Sequence, residues 1–350
     1  MFTNAELYIN DVRHTAKANL PWHQLENKAI MITGASGMIG TFLIDVLMEK
    51  NKTEQLNVKI YAIGRNIQKA KKRFAEYWQN ANFFFIQIDV NQPLNFNFHT
   101  DYIIHAASNT HPVLYASDPV GSIMTNLLGT YNLFEYAKQT HLERFIFLSS
   151  VEIYGQALNE DDVFDESYCG YIDCNTVRAG YPEGKRASEA LCNAYCFKYG
   201  IDVVIPRLAR IYGPTMRLDD SKAMSQFLLN GVRGEDIVLK SRGMQLYSYC
   251  YVADAVLGIF YIGLLGEKGN AYNVCDVETK WHLKDITQYI AGITGHKVIF
   301  QLPNKSEQEG FSKVSVGVMS SDKLQKLGWQ PHDNLESGIK KTLKILQKFM

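Results

Sequence analysis

Residues 29–47 read AIMITGASGMIGTFLIDVL, and this stretch decides the fold. Ala29-Ile30-Met31-Ile32-Thr33 is a short apolar run suited to a strand buried on both faces. A glycine-rich turn follows, Gly34-Ala35-Ser36-Gly37-Met38-Ile39-Gly40. Beyond it Ile39, Phe42, Leu43, Val46 and Leu47 recur at helical spacing. Glycines at 34, 37 and 40 let the backbone turn sharply and approach a ligand closely. The helix start adds unpaired N–H donors and a positive dipole end, which together suit a pyrophosphate. Three spaced glycines alone would fit a plain strand–helix turn. Their place after the first apolar strand points instead to a dinucleotide site made by Gly34, Ser36, Gly37, Met38, Ile39 and Gly40.

The same rhythm continues outward. Val58–Ile63, Phe83–Ile88, Tyr102–Ala106 and Arg144–Leu148 read as further strands, with helices expected over 66–79 and 117–138. Strands alternating with helices imply right-handed crossovers. The fold class is therefore α/β, a Rossmann-type doubly wound parallel sheet with a smaller C-terminal substrate-binding lobe. The expected organisation is an N-terminal arm over 1–27, a nucleotide-binding domain over 28–205, and a lobe over 206–350 interleaved with it.

Several residues follow from this placement. Dinucleotide sites usually carry an acid at the end of the second strand, for the ribose hydroxyls. Here that strand ends Ala62-Ile63-Gly64-Arg65-Asn66. Arg65 suits a 2′-phosphate, so NADP is favoured over NAD. Asp89 and Val90 after the third strand, and Ala106, Ala107 and Ser108 after the fourth, are expected along the cofactor. His105 and His111 flank the same crevice and are expected to pack or hydrogen-bond rather than react.

Tyr181-Pro182-Glu183-Gly184-Lys185 places a phenol and an ammonium one helical turn apart. An ammonium beside a phenol favours the phenolate. Such a tyrosine can exchange a proton with a substrate hydroxyl while hydride moves to or from a nicotinamide. Ser150 ends the fifth strand, at the edge where ligands bind in open α/β sheets, and can hydrogen-bond the reacting oxygen. Glu152, two residues on, is a candidate second acid/base, with loop capping as the competing role.

Together, and in this order, these motifs resemble the extended short-chain dehydrogenase/reductase family, in its nucleotide-sugar epimerase/dehydratase branch. The resemblance covers almost the whole chain: TGASGMIG at 33–40, HAASNTHP at 105–112, TNLLGTYN at 125–132, SSVEIYG at 149–155, YPEGK at 181–185, RIYGP at 210–214, YVADA at 251–255 and SSDKLQKLGWQP at 320–331. Within the branch the sequence is most similar to UDP-glucuronate decarboxylases. The resemblance implies that Ser150, Tyr181 and Lys185 carry hydride chemistry and that Tyr181 and Lys185 also contact the cofactor. It implies substrate contacts at Thr110, Ser150, Arg210 and Tyr247, and a homodimer formed through helices over 117–138 and 181–199. This chain departs from the branch at four positions. Ser150 stands where relatives usually have Thr, and Val151 where they have Ser or Asp. Tyr247 replaces an Arg that holds substrate phosphate, and Arg210 replaces an Asn. Arg210 is thus a candidate re-sited cation, with Arg217, Arg233 and Arg242 as others.

The totals set outer bounds. Formal net charge is zero, which gives no electrostatic reason to expect nucleic acid or an anionic membrane as partner. No stretch reaches the roughly 18 apolar residues of a membrane span. The start has no apolar core like that of a signal peptide, and the six cysteines form no CxxC pair. Cys192 and Cys196 could share a helix face but lack further metal ligands, so no metal is expected. A cytoplasmic enzyme acting on a nucleotide-diphosphate sugar or sugar alcohol is the expectation. Two enzymatic readings compete. One enzyme oxidises a sugar, transforms the keto intermediate and returns the hydride; the other is a net NADPH-dependent reductase. A non-catalytic dinucleotide-binding module is the third, against which Ser150, Tyr181 and Lys185 argue.

Overall fold

The computed structural model describes residues 5–110, 112–301, 303 and 314–350, the side chain at 116 excepted. His111 lies outside the described residues. The strands of the first half are β1 (Ala29–Thr33), β2 (Lys59–Gly64), β3 (Phe83–Gln87), β4 (Tyr102–His105), β5 (Arg144–Phe147) and the two-residue β6 (Ser149–Ser150). Those of the second half are β7 (Val163–Phe164), β8 (Val203–Leu208), β9 (Arg210–Tyr212), β10 (Ile237–Leu239), β11 (Leu246–Tyr251), β12 (Asn270–Val274), β13 (Lys280–His282), β14 (Val298–Phe300) and β15 (Val316–Met319).

A parallel sheet of eight strands runs β12-β8-β5-β4-β1-β2-β3, with β6 added beside β8. Every residue of β1 is buried, as its unbroken apolar sequence requires. The chain leaves β1 to one side towards β2 and returns on the other side at β4. That switch point opens a crevice at the carboxyl ends of the strands. The lobe holds a second sheet, β13-β11-β15-β7 with β9 beside β11, and a small pair β10-β14. A boundary after residue 205 falls inside β8, and β12 lies in the main sheet although it comes from the chain's last third. The chain therefore re-enters the nucleotide-binding sheet twice beyond that point, once through the end of β8 and once through β12.

The helices used below are α1 (Glu6–Ala16), α2 (Met38–Glu54), α3 (Ile67–Arg73), α4 (Pro112–Ser117), α5 (Pro119–Ala137), α6 (Gly180–Tyr199), α7 (Ala223–Arg233) and α8 (Val252–Leu265). Two differ from the sequence expectation. The helix expected over 66–79 stops at Arg73, and a short 3-10 turn follows. Phe74 leaves helical geometry and buries its ring 5.2 Å from Phe83. Burial against β3 outweighs helix continuation there. The helix expected over 117–138 is two, α4 and α5. Asp118 breaks them apart, because its carboxylate accepts the Gly121 N–H at 2.9 Å and Pro119 takes the first helical position.

The N-terminal arm is part of the core. Tyr8 meets Phe42 of α2 edge-on at 5.6 Å, and Trp22 meets Phe260 of α8 at 4.9 Å. Asp11 accepts hydrogen bonds from Tyr251 and Lys341. All six cysteines are unpaired.

Candidate active site

One cleft of about 1460 Å³ runs along the carboxyl edge of the main sheet and under the lobe. Its first wall is the glycine turn. Gly34 has φ +66°, and a Cβ there would lie 2.7 Å from the carbonyl oxygen of Ala106. A Cβ on Gly40 would lie 2.6 Å from the Gly34 carbonyl. The turn is thus folded against β4 in a way only glycine permits. Gly37 caps α2 and no side chain takes up its first N–H groups. A close-approach cradle ending at free helix N–H donors fits the pyrophosphate of a dinucleotide.

The opposite wall is 106–108. Ala107 N–H donates to Thr33 Oγ1 at 3.1 Å, and that hydroxyl also bonds His105 Nδ1 at 2.7 Å. Burial, with Lys185 nearby, pushes His105 down to about 3, so its ring stays neutral and braces the wall. Ser108 donates to Asn126 at 2.8 Å. Gly34, Ser36, Gly37, Met38, Ile39, Gly40, Arg65, Asp89, Val90, Ala106, Ala107 and Ser108 all line the cleft. Asp89 accepts the Asn91 N–H at 3.0 Å as a turn cap and sits 3.9 Å from Arg65 Nη1.

Ser150 ends β6, and its Oγ accepts the Glu152 N–H at 3.3 Å. Tyr181, in the first turn of α6, is buried and lines the cleft together with Ser150. Its ring packs 5.0 Å from that of Tyr115. Lys185 lies one turn on and does not reach the cleft lining; its Nζ donates to Leu148 O at 2.7 Å and sits 4.6 Å over Phe147. Burial brings this ammonium down to about 8. The sequence reading expected Lys185 to ease ionisation of Tyr181. Here burial pushes the phenol above its ordinary value, while Ser150, Arg178 and Arg210 pull the other way.

Glu152 is held differently from a free acid/base. Arg178 Nη2 donates to its Oε2 at 2.8 Å and Arg210 Nη2 to its Oε1 at 3.2 Å. Burial works against its charge, but the two guanidiniums more than compensate and hold it below the usual carboxylate range. Arg210 reaches over the ring of Tyr247 at 3.7 Å, from the strand paired with it. Tyr247 OH is occupied by Val314 O at 2.6 Å. Thr110 lines the cleft. Arg217 also lines it but is forked onto Asp219, and Arg233 and Arg242 lie away from the lining. Sequence reading missed Arg178, Tyr115 and Tyr249 as site residues. Arg178 stands three before Tyr181, a helical spacing that was the available signal. Among the described residues no helix is long and apolar enough to cross a membrane, and no cluster could hold a metal.

Comparison with known proteins agrees with this arrangement. Residues 30–275 match the NAD dependent epimerase/dehydratase family. UDP-glucuronic acid decarboxylase 6 of Arabidopsis thaliana is 31% identical, with 89% of this chain and 87% of that protein aligned. UDP-glucuronic acid decarboxylase 1 of Xenopus tropicalis is 29% identical over 92% of this chain and 73% of its own. Among solved structures, the UDP-glucuronic acid 4-epimerase of Bacillus cereus, solved with UDP-glucuronic acid and NAD, superposes with TM-score 0.78 at 20% identity, covering 92% of this chain and 100% of that one. The dTDP-glucose 4,6-dehydratase DesIV of Streptomyces venezuelae, solved with NAD, gives TM-score 0.79 at 20% identity, covering 91% and 97%.

Proposed function

Since the chain belongs to the NAD dependent epimerase/dehydratase family, it is an NAD-dependent enzyme of nucleotide-sugar chemistry working through a keto-sugar, and we propose that Tyr181, Ser150 and Lys185 carry its hydride step. The observation that carries this is that Ser150 and Tyr181 line the same cleft as the glycine cradle. When bound, the dinucleotide supplies the hydride acceptor and donor. Ser150 holds the sugar hydroxyl that becomes the ketone. Tyr181 takes that hydroxyl's proton at its Oη and later returns it. Burial keeps the phenol of the free site protonated, so Tyr181 takes the substrate proton only as the phenolate, after its own proton has left, and the oxidation step should quicken as pH rises. Lys185 fixes the loop after β5 through Leu148 O. Glu152, locked between two arginines, acts as an ionised brace rather than a proton donor.

Replacing Tyr181 by Phe should lower kcat by about 10²–10⁴-fold, the usual worth of a positioned acid/base, with the cofactor still bound. Unchanged turnover would overturn the reading, and a merely structural tyrosine would lose cofactor and stability together. At the adenosine end, Arg65 is exposed and lines the cleft with Lys69 and Lys72. This supports NADP in preference to NAD, although Asp89 beside Arg65 offsets part of its charge. Titration with NADH and NADPH decides it: tighter NADPH binding, lost in Arg65→Ala, is the expected result. A homodimer through the outer faces of α5 and α6 completes the proposal, supported by their exposed apolar residues.

A further inference from the structure

The proton-transfer tyrosine has an aromatic neighbour from another element. Tyr115 belongs to α4, the short helix that Asp118 and Pro119 separate from α5. That break lets α4 take its own direction, and it packs on the 3-10 turn Val177–Ala179, which carries Arg178. The ring of Tyr115 meets that of Tyr181 with centres 5.0 Å and planes 31° apart. Both side chains line the cleft, yet Tyr115 is only 5% exposed and Tyr181 7%.

Arg178 holds this pair together. Its guanidinium carbon stands 4.5 Å from the ring centre of Tyr115 and 5.9 Å from that of Tyr181. Arg178 Nη2 is spent on Glu152 Oε2, whereas Nε and Nη1 are buried without a hydrogen-bond partner. A buried guanidinium short of acceptors gains from the negative face of an aromatic ring. The Tyr115 ring is thus a second fastening for Arg178, and Arg178 in turn keeps that ring against Tyr181.

Such a seat bears on a phenol that must exchange a proton. A ring packed at this distance restricts the tilt of Tyr181, and small misplacements of a reacting group are costly. The same ring takes the place of water, and a phenolate without water is harder to form. The groups around Tyr181 act in both directions. Burial is the largest influence and opposes the phenolate. Ser150 of β6, Arg178 and Arg210 of β9 favour it, and Glu152 of the 3-10 turn Val151–Tyr154 opposes it. Lys185, on α6 itself, is turned to Leu148 O. Burial holds the Tyr115 phenol well above its ordinary value, so Tyr115 adds ring surface and no charge.

We propose that Tyr115 is a positioning residue for the proton-transfer step: its ring, seated against Arg178, holds the ring of Tyr181 in place and shields its phenol from water. The inference rests on the reading of Tyr181 as the residue that exchanges the sugar's proton.

The test titrates Tyr181 directly, in the NAD-loaded protein with no sugar present. Tyrosine labelled with carbon-13 at Cζ reports each phenol by NMR, and the Tyr181 signal is the one missing from Tyr181→Phe. Tyr115→Phe keeps the ring and should leave the Tyr181 midpoint at its wild-type position. Tyr115→Ala removes the ring, admits water and frees Arg178 to favour the phenolate. Its Tyr181 midpoint should fall by about one pH unit or more, within the several units that full burial can impose. An unmoved midpoint in a folded Tyr115→Ala overturns the inference, because a merely structural ring would change stability alone. An equal fall in Tyr115→Phe overturns it too, because the hydroxyl and not the ring would then be at work. If Tyr115→Ala does not fold, Tyr115→Leu, smaller and without a flat face, takes its place with the same expected direction. The titration needs no sugar, so the hydride-transfer reading fails in the turnover of Tyr181→Phe, whereas this inference fails in the midpoint.

Discussion

At the scale of single residues, the site depends on a few positions whose backbone or charge admits no substitute. Gly34 shows the first kind. Its φ is +66° and Ala106 O stands 2.7 Å from where a Cβ would go. Gly200, at the end of α6, shares the conformation at φ +70° but has nothing within 4 Å. The pair separates strain from collision. Gly200→Ala should cost about 1–2 kcal/mol of stability through the left-handed backbone and leave dinucleotide affinity alone. Gly34→Ala carries the same strain plus a clash with β4, and should weaken dinucleotide binding by about tenfold or more, as a strain of 1–3 kcal/mol at the cradle implies. Fluorescence titration with NADH checks both; equal affinities in the two variants would mean that the cradle does not touch the cofactor. The glycines, Ser150, Tyr181 and Lys185 were legible in the sequence because each sits at a fixed offset within one element. Arg210 was read as a candidate cation, but its partnership with Arg178 was not legible, because Glu152 joins residues 26 and 58 positions away and only the folded chain brings them together.

At the scale of elements, legibility follows how local the deciding forces are. The run from β1 through α2 is set by apolar periodicity and glycine chemistry within 26 residues, and its elements match the reading. The ends of α3 and the break before α5 hinge on Phe74 reaching Phe83 and on Asp118 capping Gly121. The first is a tertiary contact that no window of sequence displays. The second is a capping signal that a long apolar pattern overrode. Helix α5 also carries an outward stripe. Val120, Ile123, Met124 and Tyr131 are exposed, and their spacing puts them on one side of the helix. On α6, which packs against α5, Phe197 is 92% exposed. A stripe of this kind is suited to a second copy of the chain. Ile123→Asp and Phe197→Asp should therefore shift the protein from dimer to monomer in light scattering, with the fold intact by circular dichroism. A wild type that is already monomeric at micromolar concentration would remove the proposed homodimer.

At the scale of the whole molecule, the two ends of the chain are fastened to the core through buried carboxyl groups. Asp254, at the start of α8, accepts the N–H groups of His332 and Asp333 at 2.8 and 3.0 Å, and its own carbonyl takes Trp329 Nε1 at 3.1 Å. Asp45 on α2 receives the hydroxyl of Tyr8 from the N-terminal arm. Lys341 of the C-terminal helix Leu335–Gln347 joins Asp11 of the arm to Asp333. Burial raises Asp254 to about 7 and Asp45 to about 6. Both therefore bind a proton more tightly in the folded chain than in the unfolded one, where a carboxyl titrates near 4. As pH rises from about 4 towards 6 or 7, folding must hold these protons or bury charge. Each group then lowers stability by on the order of 1 kcal/mol per pH unit within its own window, and no further above it. Asp254→Asn imitates the protonated side chain at every pH. It forfeits one acceptor for the His332 and Asp333 N–H groups, which lowers Tm by a constant amount. The gap between variant and wild type should nevertheless narrow as pH rises from 4 to 7 and stay level from 7 to 8. Melting curves across that range read the gap directly. A constant gap would show that Asp254 is ionised throughout, and that the C-terminal segment is held to α8 by a charged carboxylate rather than a protonated one.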